Sequence, residues 1–288
     1  MELRTIHVLV IVAAMMASVP ARAQNKPVAD GLPVDVELVL AVDASRSMEP
    51  FEQKIQRDGY VAAFRHPQVI KAILEGLHGR VAITYIEWAG FGFQRVIVPW
   101  TLVDSRQAAE RLAAELDRPV PPPQSRTSIS AAIDFSAGLF DGSGFKGQRR
   151  IIDISGDGPN NHGRPVIDAR AAALDKGITI NGLPLMTRGS LYSGWDVKDL
   201  DQYYGNCVIG GPGAFLIPVT SWEQFPVAVR RKLMLELAGN PARATNAMRA
   251  EAGGANGPPV LMVQAKKSYD CMSGEHVWQQ RMQDWEWR

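Results

Sequence analysis

Short apolar runs alternate with stretches of helical periodicity along the chain, which predicts an α/β protein. Residues 34–37 alternate between apolar and polar, and residues 38–42 are all apolar, a pattern typical of a strand that enters the middle of a sheet. Helical spacing follows despite Gly59, and a second short helix is predicted over residues 68–77. The predicted buried face of the first helix consists of Phe51, Ile55, Val61 and Phe64.

The next two apolar runs predict a β-hairpin. Val81–Trp88 and Arg95–Trp100 are rich in β-branched and aromatic residues, and a turn that contains glycine, residues 89–93, separates them. Proline cannot donate to a strand ladder, so Pro99 places the second strand at an edge of the sheet.

The same alternation continues to residue 237. Helices are predicted over 105–116, 129–140, 165–176 and 222–237, and strands over 150–155, 178–184 and 214–219. Strands that alternate with helices imply crossover units. We therefore expect a doubly wound, mostly parallel sheet with one antiparallel edge strand.

The two ends of the chain differ from this central part. Arg4, the apolar stretch Val8–Val19 and the small residues of Ala21-Arg22-Ala23 predict a signal peptide over residues 1–23. The apolar stretch is shorter than the ~20 residues that a spanning helix needs. An uncleaved anchor or a buried helix is the alternative. We expect an exported protein, periplasmic or secreted, with no transmembrane segment after cleavage.

The remaining chain divides into three predicted parts. The domain covers residues 34–238, and residues 240–259 are rich in Asn, Pro, Ala and Gly without periodicity, which indicates a linker or a loose excursion. Residues 260–288 are too apolar for a free tail, and we expect them to pack back on the domain.

Charge and cysteine content narrow the function classes. Lys and Arg number 31 against 30 Asp and Glu, so the chain lacks the basic excess typical of nucleic-acid binding, and we expect no nucleic-acid partner. The two cysteines, Cys207 and Cys271, are too few for a disulfide scaffold. In an oxidising compartment such a pair is more often a disulfide than two thiols. Two unpaired, buried cysteines are the alternative.

Side chains that carry ligand oxygens occur where the predicted strands end or a helix begins. Asp43, Ser45 and Ser47 follow the first strand at a spacing of two residues, Thr127 begins a helix, and Asp157 stands between two glycines after a later strand. Open α/β sheets bind ligands outside the carboxyl ends of their strands. Two carboxylates and three hydroxyls, without His or Cys, suit Mg²⁺, and also Mn²⁺ or Ca²⁺, better than zinc.

The D-x-S-x-S sequence at a strand end, the later threonine and the later aspartate together resemble the von Willebrand factor type A domain with its metal-ion-dependent adhesion site. The resemblance implies a Rossmann-like fold over residues 34–238. It also implies that Ser45 and Ser47 bind a divalent cation directly, and that Thr127, Asp43 and Asp157 bind it directly or through water. The cation would then recruit an acidic side chain of a protein partner.

Three further stretches resemble a family of exported bacterial type A-like proteins of uncharacterised function: residues 126–129, 155–161 and 210–215. One departure is Gly156, where many type A domains carry threonine. We expect it to loosen the loop without removing a ligand.

Structural explanations compete with each of these assignments. Asp43, Ser45 and Ser47, or Thr127 with the neighbouring serine, could cap helices, and Asp157 could belong to a plain turn. For a further set of polar and aromatic residues we favour a structural role, and a role near the site is the alternative. These residues are Glu87, Asp153, His162, Tyr192, Trp195, Tyr203 and Tyr204.

Three functions remain open from the sequence. The first is a metal-dependent binding module, which needs no catalytic nucleophile. The second is a metal-assisted hydrolase or phosphotransferase. An aspartyl-phosphate enzyme of this fold would need a second carboxylate at the position where this chain has Ser45, which argues against that function. The third is a structural domain with a non-functional site. We expect a binding module and not an enzyme.

Overall fold

A computed structural model describes residues 31–117, 124–187, 199–238, 258–262 and 269–286. The strands are β1 (Leu32–Asp43), β2 (Val81–Trp88), β3 (Gln94–Val103), β4 (Phe145–Gly156), β5 (Ile178–Pro184), β6 (Phe215–Leu216) and β7 (Leu261–Met262). The helices are α1 (Pro50–Arg65), α2 (Pro67–Leu74), α3 (Arg106–Leu116), α4 (Ile129–Leu139), α5 (Val166–Asp175), α6 (Leu200–Tyr203), α7 (Phe225–Leu237) and α8 (Ser273–Glu286). A π-helical turn, Tyr204–Val208, continues α6.

The strands form one sheet in the order β3-β2-β1-β4-β5-β6-β7. The strands from β2 to β6 in this order are parallel, which confirms the doubly wound, mostly parallel sheet. Both edge strands are antiparallel, β3 against β2 and β7 against β6. The predicted antiparallel edge strand, β3, is confirmed, and Leu261–Met262 adds a second antiparallel strand at the other edge that the sequence did not predict.

Both faces of the sheet are buried. Along β1, Leu38, Leu40 and Val42 contact the core beneath α1, α2, α3 and α7, whereas Val39 and Ala41 contact the core beneath α4, α5 and α6. This explains the unbroken apolar run, since successive side chains of a strand point to opposite faces.

Several element boundaries differ from the predictions. β4 begins at Phe145 rather than at 150, because its first residues lie at the margin of the sheet and are only partly buried. Phe51 was wrongly assigned to the buried face of α1, since in the first turn of that helix it is 55% exposed. Residues 1–23 and most of 240–259 lie outside the described residues, as do Tyr192 and Trp195. Among the helices that are described, none has the length and apolar character to cross a membrane.

The two carboxylates inside strands have charged partners. Glu87 of β2 forms a buried ion pair with Arg57 of α1. Asp153 of β4 lies 2.8 Å from Nζ of Lys232 in α7, and that ammonium also pairs with Glu236. Burial of an ionised carboxylate requires such partners, so the contacts account for both residues structurally.

The chain leaves the centre of the sheet in opposite directions from β1 and β4. The helix after β1, α1, packs on one face, and α5, which follows β4, packs on the other. Because β1 and β4 are neighbours, their carboxyl ends form the switch point at which open α/β sheets bind ligands. Asp43 ends β1, and Asp157 directly follows β4.

Candidate functional site

The loop after β1 holds its three oxygen-bearing side chains close together. The backbone N–H of Ser45 donates to Asp43 Oδ1 at 2.7 Å. The hydroxyls of Ser45 and Ser47 lie 2.9 Å apart, within hydrogen-bonding distance. The spacing of two residues thus turns all three side chains toward one point.

Asp157 reaches the same point from the loop after β4. The hydroxyl of Ser47 donates to Asp157 Oδ1 at 2.8 Å, although 110 residues separate the two along the chain. Asp43 is buried, and this burial, followed by repulsion from Asp157, raises the pKa of Asp43 well above its ordinary value. The buried carboxylate of Asp43 and the half-buried carboxylate of Asp157 therefore lie close enough to repel each other.

The second oxygen of Asp43 lies deeper in the fold. Oδ2 is buried and has no hydrogen-bond partner within the part of the chain that the structure describes. A Cβ atom on Gly156 would lie 2.9 Å from this oxygen and 3.0 Å from the hydroxyl of Tyr204. Gly156 therefore does not loosen a loop, contrary to expectation. It is the last residue of β4, and its missing side chain leaves room for the carboxylate and the tyrosine.

Thr127 lies beside these residues rather than capping the helix. Ser128 is the N-cap of α4, since its Oγ accepts from Ala131 N–H at 3.3 Å. Thr127 is 5% exposed, and its Oγ1 lies 4.0 Å from the position that a Cβ on Gly158 would take. The threonine hydroxyl therefore faces the loop that carries Asp157.

Two asparagines that the sequence analysis did not assign connect these loops. Asn161 accepts from Thr127 N–H through Oδ1 at 3.0 Å and donates its own N–H to the carbonyl of Thr127 at 2.9 Å. Asn160 Oδ1 accepts from Ser130 N–H at 3.0 Å. The signal was present in the sequence, because asparagine side chains readily satisfy backbone amides at turns and helix starts.

The segment after residue 268 packs against the same loop. Cys271 forms a disulfide with Cys207, with Cα atoms 5.5 Å apart. In α8, Gly274 approaches so closely that a Cβ would lie 2.1 Å from the carbonyl oxygen of Asn160. Asn160 Nδ2 donates to Glu275 Oε1 at 2.7 Å. The disulfide and these contacts hold α8 beside the loop that carries Asp157.

Two buried tyrosines pack beneath the candidate metal site. Tyr203 and Tyr204 are both fully buried, and the hydroxyl of Tyr203 accepts from Asn160 N–H at 3.1 Å. Burial, with Asp43 and Asp157 nearby, raises the pKa of Tyr204 well above its ordinary value. The two tyrosines therefore belong to the core under the site and do not form a partner surface.

His162 packs against the tip of the β2–β3 hairpin. Its Nδ1 accepts from Phe91 N–H at 2.9 Å, and its ring stands edge-on to the Phe91 ring. Burial and the charge of Arg126 lower the pKa of His162 below its ordinary value. The histidine thus joins two loops beside the site.

The composition of the site suits a hard cation. Among the described residues, no group of three or more His, Cys, Asp or Glu side chains is placed to hold a metal ion. The arrangement here differs from such a group, since it combines two carboxylates with three hydroxyls. The unpartnered Oδ2 of Asp43 and the closeness of Asp157 both fit a bound divalent cation, for which oxygen is the preferred ligand.

A family model described as "Protein of unknown function (DUF1194)" matches residues 33–241. The chain belongs to this family. No curated protein matches the chain significantly.

Solved structures with the same fold include an adhesin. The pilus adhesin SpaC of Lactobacillus rhamnosus GG matches 71% of this DUF1194 chain at 14% identity, with a TM-score of 0.50. The match covers 31% of SpaC, so the chain spans about a third of the length of that adhesin.

Two further structures are similar at lower scores. Proximal thread matrix protein 1 from the mussel byssus, solved with a zinc-occupied MIDAS motif, matches 73% of the chain and 50% of its own at 14% identity and a TM-score of 0.49. A von Willebrand factor type A protein from Catenulispora acidiphila matches 71% of the chain and 43% of its own at 15% identity and a TM-score of 0.46. The strand order, together with the similarity to SpaC at a TM-score of 0.50, shows a von Willebrand factor type A fold.

Proposed function

We propose that this DUF1194 protein is a metal-dependent protein-binding module of the adhesion type. Asp43, Ser45, Ser47, Thr127 and Asp157 hold a divalent cation, and the cation binds a carboxylate supplied by a protein partner. The module works in an exported compartment, after a signal peptide has been removed.

The state of Asp43 is the observation that carries this proposal. Its carboxylate is buried, one of its oxygens has no hydrogen-bond partner in the described structure, and a second carboxylate, Asp157, lies close enough to repel it. A buried charge of this kind is costly unless it is paired or coordinates a metal. A cation between the two aspartates would remove the repulsion.

Mg²⁺ fits the oxygens of the site best. It prefers oxygen ligands in octahedral geometry and commonly retains water molecules. Two carboxylates and the neutral hydroxyls of Ser45, Ser47 and Thr127 leave the bound ion with a position for an outside ligand. When bound, the ion would attract a carboxylate of the partner as that ligand. Mn²⁺ and Ca²⁺ are the alternatives that the same oxygens allow.

Calorimetry with each ion tests the metal site. We expect Mg²⁺ or Mn²⁺ to bind the wild-type protein and Asp157→Ala to abolish the binding heat. Asp141→Ala is the matched control, since Asp141 is an exposed aspartate between α4 and β4. Equal heats for wild type and Asp157→Ala would contradict the proposal.

Crosslinking in the exported fraction tests the partner. We expect a crosslinked protein that disappears both with a chelator and in Asp43→Ala. Circular dichroism of Asp43→Ala verifies that it is folded. Crosslinks that survive both treatments would exclude a metal-bridged contact.

A further inference from the structure

A cationic and aromatic rim lies next to the candidate metal site. We use the term rim for Phe91, Arg126, His162 and Trp278. A Cβ on Gly90 would lie 3.2 Å from both Arg126 Cβ and His162 Nδ1, so the hairpin tip and the two loops meet there. Phe91 is 68% exposed. The rim is therefore a continuous surface that reaches Thr127.

Arg126 has an unusual backbone conformation in this rim. Its φ is +70°, and it is the residue directly before Thr127. Among the described residues it is the only one other than glycine with positive φ. Residues with a Cβ rarely adopt this conformation, and such exceptions concentrate at functional sites.

The guanidinium of Arg126 is held by an aromatic ring. Its Cζ lies 4.1 Å from the centre of the Trp278 ring in α8. Stacking on the face of a tryptophan fixes the guanidinium plane but leaves the N–H groups at its edge available for a planar acceptor. The side chain is exposed, and within the described part of the chain no carboxylate pairs with it.

Arg126 supplies the fixed positive charge of the rim. His162, the other basic residue there, has its pKa lowered by burial and by the charge of Arg126, so it is neutral at pH 7.5. Of the acids at the site, Asp43 and Asp157 would be neutralised by a bound divalent cation. The surface that faces a partner would then carry positive charge beside the ion, from Arg126 on its aromatic support and from the exposed Arg46.

We propose that Arg126 binds a second carboxylate of the partner, so that the partner presents an acidic segment with at least two carboxylates. One carboxylate occupies the metal site, and the other forms a paired hydrogen bond with the guanidinium that Trp278 holds in place. This inference rests on the proposed function, because it requires the first carboxylate at the cation. The expected partner is therefore a protein segment that carries two carboxylates.

Labelled synthetic peptides test the inference at pH 7.5 in Mg²⁺ by fluorescence anisotropy. The probes are nine-residue Ser/Gly peptides with one central aspartate, or with a second aspartate two, three or four residues away. We expect the best two-aspartate peptide to bind the wild type about fivefold more tightly, the factor for a well-ordered exposed ion pair. Two equivalent aspartates alone would give a statistical factor of about two.

Variants assign this preference to the rim. Arg126→Gln removes the preference beyond the statistical factor, Arg126→Lys retains part of it, and Trp278→Leu weakens it because the guanidinium loses its support. Arg46→Gln is the matched control, since Arg46 is an exposed arginine between Ser45 and Ser47 and the structure records no ring contact for it among the described residues. Magnesium calorimetry on each variant verifies that the metal site itself is unchanged.

The possible outcomes separate the two proposals. If the wild type binds the one-aspartate and two-aspartate peptides equally and still requires magnesium, Arg126 does not bind a second carboxylate, and the proposed function stands. If Arg46→Gln and Arg126→Gln lose the preference to the same extent, general positive charge explains it and the inference is overturned. If neither peptide shows magnesium-dependent binding, the proposed function fails and the inference fails with it.

Discussion

Asn160 joins the loop that carries Asp157 to α8, since its amide nitrogen donates to Glu275 Oε1 at 2.7 Å. The same side chain accepts from Ser130 N–H in the first turn of α4. One buried amide thus connects three segments that are far apart in sequence. The C-terminal helix is therefore a structural component of the candidate metal site.

Replacement of Asn160 tests this connection. We expect Asn160→Ala to destabilise the protein by roughly 2–3 kcal/mol, because it removes the partner of a buried backbone N–H and of Glu275. Magnesium affinity should fall as well, since the Asp157 loop loses its support. Urea denaturation and calorimetry measure the two effects. Glu275→Gln is the control, because it retains an acceptor for Asn160. Wild-type stability and affinity in Asn160→Ala would contradict this connection.

Loss of the disulfide should release α8. The bridge closes a loop with a sequence separation of 64 residues, so the chain-entropy model gives about 4 kcal/mol of stabilisation. We expect Cys207→Ser/Cys271→Ser to melt at a lower temperature and to bind magnesium more weakly. Reductant should have the same effect on the wild type and none on the double variant. An unchanged magnesium affinity would show that α8 stays in place without the bridge.

The close packing around Gly156 predicts that a second substitution recovers part of the stability lost by Gly156→Ala. In Gly156→Ala the new methyl group would meet Asp43 Oδ2 and the Tyr204 hydroxyl, so we expect a loss of roughly 1–3 kcal/mol. Tyr204→Phe removes one of the two obstacles. The double variant should therefore be more stable than the sum of the two single changes predicts, as measured in a double-mutant cycle by thermal unfolding. Simple additivity would mean that the methyl group avoids Tyr204.

The buried carboxylates of Asp153 in β4 and Glu236 in α7 predict a pH dependence of stability. Burial, then repulsion by Asp153, raises the pKa of Glu236 from its ordinary 4.5 to about 7, although Lys232 and Asn181 lower it in part. The folded protein therefore binds an additional proton between these pH values. Its free energy of unfolding should fall as the pH rises from about 4.5 to about 7, by roughly 3 kcal/mol at most.

Glu236→Gln tests this assignment. The amide oxygen can still accept from Asn181, whose Nδ2 lies 2.8 Å from Glu236 Oε1, but the side chain no longer titrates. Urea denaturation at pH 5 and pH 7.5 should show a smaller pH dependence in the variant. An identical dependence in both proteins would assign the titration to another group.

The sequence predicted the parts of the fold in which local pattern and tertiary environment agree. The strand bounds of β5 matched because Ile178–Pro184 is buried almost throughout. The five candidate ligands could be selected because each stands at the end of a strand or at the start of a helix. Phe51 was misassigned because helical periodicity does not reveal where a helix extends beyond the sheet.

The parts of the site that the sequence did not predict depend on contacts between distant segments. Asn160 and Arg126 are polar loop residues in the sequence, and their contacts with Glu275 and Trp278 arise only when α8 is fastened to the domain. The glycine at 156 has its explanation in Tyr204, 48 residues later. No local pattern encodes these distances.

The two antiparallel edges of the sheet affect self-association. Strand edges with long rows of unpaired backbone groups attract further chains. At one edge, β3 contains Pro99, which lacks an N–H, and its register with β2 shifts near Tyr85. At the other edge, the described part of β7 is Leu261–Met262. Among the described residues, each edge therefore has a feature that disfavours pairing with a further strand.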